Sequence, residues 1–361
     1  MFFYRICVHL LHSETKLTLF ISMKSAQVTI KDIAKALGIS PSTVSRALKD
    51  HPEISYKTKK AVNELAKKLN YEPNSIALSL RNSHSRSIGI IIPQIVHFFF
   101  SSVISGVEEV ASKAGYTLIM CQSNESYETE VINIQTLLSK RVDGIMVSVS
   151  KTTSDFDHFE LVKRSNIPIV FYDRACNISH TDRVIVDDYK GAYNIVSHLL
   201  EMGCHRIAHL ATNQDLLIGK NRKNGYIQAL KDHNIELDED IILRCDTDEQ
   251  AKLCVPYLLS LPKQIDGIFA VNDLTAITAM SIVKKAGFHV PDDIAIAGFS
   301  NGIYSSMTDP PLTTVEQHGF LVGKKAAELL LDRIHSDIDY DTRVEQVKTE
   351  IIIRESSQRK K

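Results

Sequence analysis

The sequence predicts two parts: an N-terminal all-α unit containing a helix-turn-helix, and an α/β core with two lobes, each built on a parallel β-sheet. Two short amphipathic helix patterns lie close together between Val28 and Leu48. From residue 88 onward, near-continuous apolar runs alternate with amphipathic helix patterns, which is typical of parallel sheets covered by helices on both faces. These runs are too many for one such sheet, so we expect two similar lobes.

The segment from Val28 to Leu48 carries the start and stop signals of two helices. Thr29 stands where an N-cap belongs, and Gly38 can end the first helix because glycine adopts a left-handed backbone without steric cost. Ser40 can cap the second helix, and Pro41 suits its first turn. Hydrogen-bonding side chains then remain on or near the outer face of the second helix: Ser42, Thr43, Ser45 and Arg46. In a helix-turn-helix, the second helix enters the major groove of DNA.

A third helix is predicted over residues 55–69, with Ser55 as its cap and an apolar stripe facing the first two helices. Its remaining surface is rich in lysine. From Lys24 to Arg86 the chain has twelve Lys and Arg residues against five Asp and Glu residues, although the whole chain has a formal net charge of -1. One lysine would indicate only a solvated face, but a basic unit on a mildly acidic body indicates nucleic acid as its partner.

The segment from Val28 to Arg81 resembles, over its whole length and in its spacing, the DNA-binding headpiece of the LacI/GalR family of bacterial transcription regulators. The resemblance implies a homodimer that binds a pseudo-palindromic operator in double-stranded DNA, acts as a repressor, and is controlled by a small effector. It also implies a set of DNA-binding residues. These are Thr29, Ser40, Ser42, Thr43, Ser45, Arg46, Lys57, Tyr71, Asn74, Ala77 and Leu80.

A short helical pattern from Asn74 to Asn82 resembles the hinge helix of that family. In the family, two hinge helices meet in the minor groove, and a leucine from each enters between base pairs and kinks the duplex. By position that leucine is Leu80, and Ala77 lies beside the partner helix. Spacing alone favours ordinary linker or core roles for Leu78 and Leu80, whereas the resemblance favours the wedge.

The apolar runs of the core predict its strands. They are Ile88–Pro93, Tyr116–Gln122, Gly144–Val149, Ile167–Asp173, Val184–Asp187, Arg206–Ala211, Ile241–Cys245, Gly267–Val271 and Ile294–Gly298. The resemblance continues through this part and implies a bilobed, periplasmic-binding-protein-like core. The predicted organisation is an extension (1–27, disordered or preceding the true start at Met23), a headpiece (28–73), a hinge helix and linker (74–86), an effector-binding and dimerisation domain (87–354), and a tail (355–361).

In the family, the effector lies between the lobes and is usually a sugar or sugar phosphate, sometimes a purine. The resemblance predicts effector contacts from Phe99, Phe100, Ser148, Asp173, Arg222, Asn272, Ser300 and Asn301, and Asp273 is expected to cap the following helix. Ser300 is a departure, because the family usually has an aspartate there. Either Asn301 substitutes for it, or the effector lacks the group that needs a carboxylate, which puts ordinary hexose recognition in doubt. Each of these residues could instead be a helix cap, a core aromatic or part of a salt bridge within a lobe.

Other functional classes fit less well. A secreted solute-binding protein would need a signal peptide and would leave the headpiece unexplained, and an α/β enzyme would need a catalytic motif that the sequence lacks. The six cysteines are scattered and form no Cys-x-x-Cys pair, which indicates reduced thiols rather than disulfides or zinc. We expect a cytoplasmic regulator, not an enzyme, with no cofactor, no metal and no membrane segment.

Overall fold

The computed structural model describes residues 28–71, 84–176, 178, 181–212, 216–336 and 341–359. The chain divides into two compact units between Ser85 and Arg86, and each is described by itself. No helix within these ranges has both the length and the apolar composition needed to cross a membrane.

The described part of the first unit contains three helices. They are α1 (Ile30–Leu37), α2 (Pro41–Leu48) and α3 (Tyr56–Lys68). The predicted caps are confirmed: the side chains of Thr29, Ser40 and Ser55 each accept a hydrogen bond from a backbone N–H in the first turn of their helix. Gly38 ends α1 with φ of 65°, in the left-handed region. Thr29 and Asp32 form a reciprocal capping box.

A small apolar core holds these three helices together. It consists of Ile33, Ala34, Val44, Ala47, Val62 and Ala66, all buried. Partly buried apolar side chains pack around these six residues, among them Leu37, Leu48 and Leu65, and this packing fixes the turn between α1 and α2. The loop before α3 is secured by Lys59, whose ammonium lies 2.7 Å from the Asp50 carboxylate and donates to the Asp50 carbonyl at 3.1 Å.

The second unit alternates strands and helices, as predicted. Its elements are β1 (Ser87–Ile92), α4 (Phe98–Lys113), β2 (Thr117–Gln122), α5 (Tyr127–Ser139), β3 (Gly144–Val147), α6 (Asp157–Arg164), β4 (Ile169–Tyr172), β5 (Asp182–Val186), α7 (Asp188–Glu201), β6 (Ile207–Ala211), α8 (Leu217–Asp232), β7 (Ile242–Arg244), α9 (Asp248–Leu259), β8 (Gly267–Ala270), α10 (Asp273–Lys285), β9 (Ala295–Ala297), β10 (Thr314–Glu316), α11 (Gly319–His335), β11 (Val344–Val347) and β12 (Glu350–Ile352).

Two parallel sheets form the two lobes, which confirms the predicted fold class. The first sheet has the order β11-β5-β4-β3-β1-β2, and the second has the order β7-β6-β8-β9. Helices cover both faces of each sheet: α4 and α11 lie opposite α5 and α6 in the first lobe, and α7 and α8 lie opposite α9 and α10 in the second. The carboxyl ends of these strands are where such folds bind ligands.

Pairs of helices in both lobes pack backbone against backbone. A Cβ added to Gly106 of α4 would collide with the Phe320 carbonyl of α11, and one added to Gly323 of α11 would collide with the Val103 carbonyl of α4. In the second lobe, a Cβ on Gly225 of α8 would collide with the Tyr189 carbonyl of α7. Glycine is required at these positions by close approach rather than by a left-handed backbone.

The chain passes between the lobes more than once. It runs from one lobe to the other after β5, between β10 and α11, and between β11 and β12. The strands β10 and β12 pair antiparallel, an arrangement that the parallel-sheet prediction did not include. Both strands are only three residues long, so neither gives a clear periodic signal.

Residues 355–359, which the sequence assigned to a tail, belong to the second unit. Glu355–Ser357 form a 3-10 helix, and Ser356 and Ser357 are fully buried. The Ser356 hydroxyl donates to the Ile296 carbonyl at 2.6 Å, and Arg359 donates to the Asp292 carbonyl at 2.8 Å. The polar composition predicted a solvent-exposed tail, but these side chains donate hydrogen bonds to backbone carbonyls at the end of the second sheet.

Candidate functional sites

The outer surface of α2 presents polar side chains, as predicted. Ser42 and Arg46 are exposed, and Thr43 and Ser45 are half-buried. The Ser40 hydroxyl accepts from the Thr43 backbone N–H at 3.1 Å and contacts the hydroxyls of Ser42 and Thr43. Ser40 therefore fixes the start of the helix as well as lying at the end that would approach DNA.

The basic side chains of the first unit differ in what holds them. Arg46 donates to Glu53 at 3.2 Å, but the two side chains are 48% and 68% exposed, so the pair is weak and easily exchanged for a phosphate. Lys57 is exposed and makes no ion pair among the described residues. Tyr71 is half-buried and packs against the apolar core. Asn74, Ala77 and Leu80 lie outside the described residues.

A cavity of about 310 Å³ lies between the two lobes, at the carboxyl ends of their strands. From the first lobe it is lined by residues 96–101, Lys151, Asp173 and Arg174. From the second lobe and the crossing segments it is lined by Thr212, Ile218, Arg222, Asp246, residues 271–274, Ile277, Ser300, residues 302–305 and Gln317. Apolar side chains and charged groups therefore face the same space, as in sites for small polar ligands.

Six of the eight predicted effector residues line this cavity: Phe99, Phe100, Asp173, Arg222, Asn272 and Ser300. Ser148 and Asn301 do not. Ser148 is fully buried behind the cavity, and its hydroxyl lies 3.4 Å from the Asp173 carboxylate. The Asn301 amide donates to Glu316 at 2.7 Å and accepts from Arg354 at 2.8 Å, and neither of these partners lines the cavity.

Asp173 is a buried carboxylate with few partners of its own. It follows β4 with φ of 57° and is 5% exposed. Besides the Ser148 hydroxyl, its nearest polar partner is Nε of Arg174 at 4.0 Å, and that Nε makes no hydrogen bond. Burial raises the pKa of Asp173 to about 6, against the opposing effect of Arg174. Such a carboxylate favours a ligand that brings hydrogen-bond donors.

Arg222 is held rigidly in the second lobe. Its guanidinium donates to Asp188 at 2.8 Å and to the Val271 carbonyl at 2.6 Å, and it lies 3.8 Å from the centre of the Phe299 ring. Burial raises the pKa of Asp188, although Arg222 opposes that effect. Asp188 begins α7, directly after the chain passes from the first lobe to the second. Arg222 therefore links the cavity wall to the segment that connects the lobes.

The prediction that Asp273 caps α10 is wrong by one residue. Asn272 is the cap, since its side-chain oxygen accepts from the Thr275 N–H at 2.8 Å, while its amide donates to the Asp246 carbonyl at 2.9 Å. Asp273 instead accepts from the Gly302 N–H at 2.7 Å and from the Thr314 hydroxyl. Burial raises the pKa of Asp273 to about 6, against those two hydrogen bonds.

Ser300 turns its hydroxyl towards a crossing segment rather than into the cavity. It has φ of 122° and donates to Gln317 at 2.7 Å. Gln317, 2% exposed, lines the cavity between β10 and α11. Ser300 therefore supports the side chain of Gln317, which lines the cavity.

The cavity residues that were missed from the sequence include Lys151, Arg174, Asp246 and Gln317. The Lys151 ammonium, in the first lobe, lies 2.9 Å from the Asp246 carboxylate of the second. Arg174 donates to both oxygens of Glu125, at 2.7 and 2.9 Å. Lys151, Arg174 and Asp246 each follow a predicted strand closely, so the rule that sites form at the carboxyl ends of strands could have identified them.

Comparisons with known proteins agree with this architecture. Residues 29–74 match the family described as bacterial regulatory proteins, lacI family, and residues 85–357 match the family of periplasmic binding proteins and the sugar binding domain of the LacI family. An HTH-type transcriptional repressor PurR from Vibrio atlanticus is 35% identical over 330 residues, which cover 90% of this chain and 97% of that relative.

Two solved structures show the same fold over nearly the whole chain. The lac repressor dimer bound to operator and the anti-inducer ONPF is similar with a TM-score of 0.81 and 23% identity, covering 92% of this chain and 99% of its own. A complex of the transcriptional regulator CelR with cellobiose is similar with a TM-score of 0.70 and 25% identity, covering 91% and 99%. With both of its units matched and a relative aligned along nearly its full length, the chain belongs to the LacI family of bacterial regulatory proteins.

Proposed function

We propose that this protein is a cytoplasmic transcriptional repressor that binds a pseudo-palindromic DNA operator as a homodimer and is controlled by a small sugar-like effector. The observation that carries the proposal is the joining, in one chain, of a capped three-helix unit with a polar outer face and a two-lobe unit with a polar cavity between its lobes. Repressor relatives that align with both units support it.

On the DNA side, the proposal assigns base and phosphate contacts to the start and outer face of α2. Ser42, Thr43, Ser45 and Arg46 have the donors and acceptors that reach base edges and phosphates. Thr29, Ser40, Lys57 and Tyr71 add backbone contacts around them. Asn74, Ala77 and Leu80 remain proposed as the hinge segment, with Leu80 as the minor-groove wedge.

On the effector side, Asp173 accepts from ligand hydroxyls, and Phe99 and Phe100 support an apolar face of the ligand. Arg222 and Asn272 define the opposite wall. A cavity of about 310 Å³ suits a small ligand, and cellobiose in the similar CelR complex is a ligand of this class. The effector can change operator affinity only if it prefers one arrangement of the lobes over another.

The test begins with selection of sequences from a random DNA duplex library by the full-length protein. We expect enrichment of an inverted repeat, and an affinity for it that changes when a binding sugar is added, measured by fluorescence anisotropy. A matched non-palindromic duplex of the same length is the control. Equal affinity for both duplexes, with and without sugars, would contradict the proposal.

A further inference from the structure

The cavity is surrounded by more negative than positive charge. Three cationic side chains line it: Lys151, Arg174 and Arg222. Five carboxylates lie on its wall or directly against these cations: Glu125, Asp173, Asp188, Asp246 and Asp273. The site therefore has two negative charges in excess when all of these groups are ionised.

Each of the three cations already has a carboxylate partner at short distance. Lys151 pairs with Asp246 at 2.9 Å, Arg174 with Glu125 at 2.7 Å, and Arg222 with Asp188 at 2.7 Å. The carboxylates in these pairs have side chains only 3 to 15% exposed. If an anionic ligand displaced one of them, a buried charge would lose its partner, which is strongly unfavourable.

The pair between Lys151 and Asp246 is the most accessible, because the Lys151 side chain is 22% exposed. Even so, Asp246 is fixed from several directions. Its carboxylate accepts from the Thr212 hydroxyl, its backbone N–H donates to Gln250 at 2.9 Å, and its carbonyl accepts from Asn272. With the lobes in this arrangement, Lys151 therefore faces an acidic group that its own lobe holds in place.

Asp173 and Asp273 lie outside these three short pairs, one in each lobe. Asp173 lies 4.0 Å from Arg174, whose short contacts go to Glu125. Asp273 has only hydrogen bonds from Gly302 and Thr314, and the more distant Arg354 and Glu316 act on it in opposite senses. An anion in the cavity would meet these carboxylates, and like charges held close together repel one another strongly.

We propose that the effector is an uncharged polyhydroxylated sugar that donates to Asp173, and that the site rejects phosphorylated and carboxylated sugars. This inference rests on the proposed control by a sugar-like effector and narrows its chemical class. Hydroxyl groups supply the donors that Asp173 lacks without adding charge, and the pairs around Lys151, Arg174 and Arg222 stay intact.

The experiment measures binding of matched sugar pairs to the full-length protein by thermal shift and then calorimetry, at fixed ionic strength. The probes are D-ribose with D-ribose 5-phosphate, D-glucose with D-glucuronate and D-glucose 6-phosphate, and cellobiose with cellobiose 6′-phosphate. For any neutral sugar that binds, we expect its anionic counterpart to bind at least about tenfold more weakly.

Two variants test the charge argument directly. Asp246→Asn removes the partner of Lys151 and should strengthen binding of the anionic counterpart at least about tenfold relative to the neutral sugar. Asp173→Asn should weaken binding of the neutral sugar and reduce its advantage, so a folding failure of one variant leaves the other. Asp240→Asn, at an exposed position of the 3-10 helix Glu239–Ile241, removes the same charge at a residue that does not line the cavity and should change neither affinity.

The outcomes separate the inference from the proposed function. An anionic sugar that binds as tightly as its neutral counterpart, or tighter, overturns the inference and leaves control by a sugar derivative standing. An unchanged preference in both Asp246→Asn and Asp173→Asn also overturns it. Binding of no sugar of either class, with nucleobases binding instead, overturns the sugar-like effector of the proposed function itself.

Discussion

The first unit and the cavity of the second use charged side chains in opposite ways. In the first unit the cations lie on the outside, as Lys57 does, or form exposed pairs such as Arg46 with Glu53. Around the cavity the charged groups are buried and paired, as Arg222 is with Asp188. Exposed charges remain free to exchange partners with DNA phosphates, whereas buried pairs fix the shape and the charge of a small site.

The largest effect should come from breaking a buried pair. Arg222→Ala is expected to lower the free energy of unfolding by about 3 to 5 kcal/mol, because truncating one partner leaves a buried charge uncompensated. Urea unfolding of the full chain measures it. The double variant Asp188→Asn/Arg222→Met should recover part of the loss, and a cost below about 1 kcal/mol for Arg222→Ala would mean that the pair behaves like a surface pair.

The next effect concerns the small apolar core of the first unit. Ile33 is fully buried between the three helices, so Ile33→Ala should destabilise this unit by about 2 to 4 kcal/mol and abolish operator binding. Thermal unfolding with anisotropy on the selected operator measures both. Tyr56→Ala on α3, where the side chain is 82% exposed, is the control and should cost less than about 0.5 kcal/mol.

A smaller effect is a pH dependence confined to the cavity. The ionised form of Asp173 accepts from sugar hydroxyls, and its pKa in the free protein is about 6. Sugar affinity should therefore approach its maximum above about pH 7 and fall about tenfold between pH 7 and pH 5, as the carboxylate takes up a proton. Calorimetry across this range measures it.

The control for this pH dependence is Asp173→Asn, because Asp273 also has a pKa raised to about 6. A pH profile that Asp173→Asn leaves unchanged would assign the titration to Asp273 instead. Sugar affinity that stays constant from pH 7 to pH 5 in the native protein would remove Asp173 from the ligand contacts.

The smallest effect should be on the salt dependence of DNA binding, and it should distinguish two lysines of α3, Lys57 and Lys59. Lys57 is exposed, whereas Lys59 is tied to Asp50 and its side chain is 18% exposed. If Lys57 contacts a phosphate in each subunit of the homodimer, Lys57→Met should reduce the magnitude of the slope of log affinity against log salt concentration by about two. Lys59→Met should leave that slope unchanged. The reverse pattern would show that exposure in the free protein does not identify the phosphate contacts.

The contrast between the first unit and the cavity of the second also explains what could be predicted from the sequence. Thr29, Gly38 and Ser40 were placed correctly because caps and turns depend on neighbours within four residues. For α10 the sequence predicted Asp273 as the cap, whereas Asn272 has that role. Both residue types can cap a helix, and contacts with Thr275, Gly302 and Thr314 decided between them.

The pairing of buried charges was not predictable in this way. Lys151 and Asp246 lie in different lobes, and Arg174 finds Glu125 on a loop of another strand. Sequence placed Lys151 and Arg174 near strand ends but carried no signal for their partners. The orientation of Asn301 could not be predicted either, because its side chain accepts a hydrogen bond from Arg354, which is near the end of the chain.

The glycine contacts between α4 and α11 and between α7 and α8 have a mechanical consequence. Where helix backbones touch directly, no side chains lie between them that could adopt new rotamers. We therefore expect each lobe to move as a rigid body, so that bending on ligand uptake is confined to the few peptide links that run from one lobe to the other.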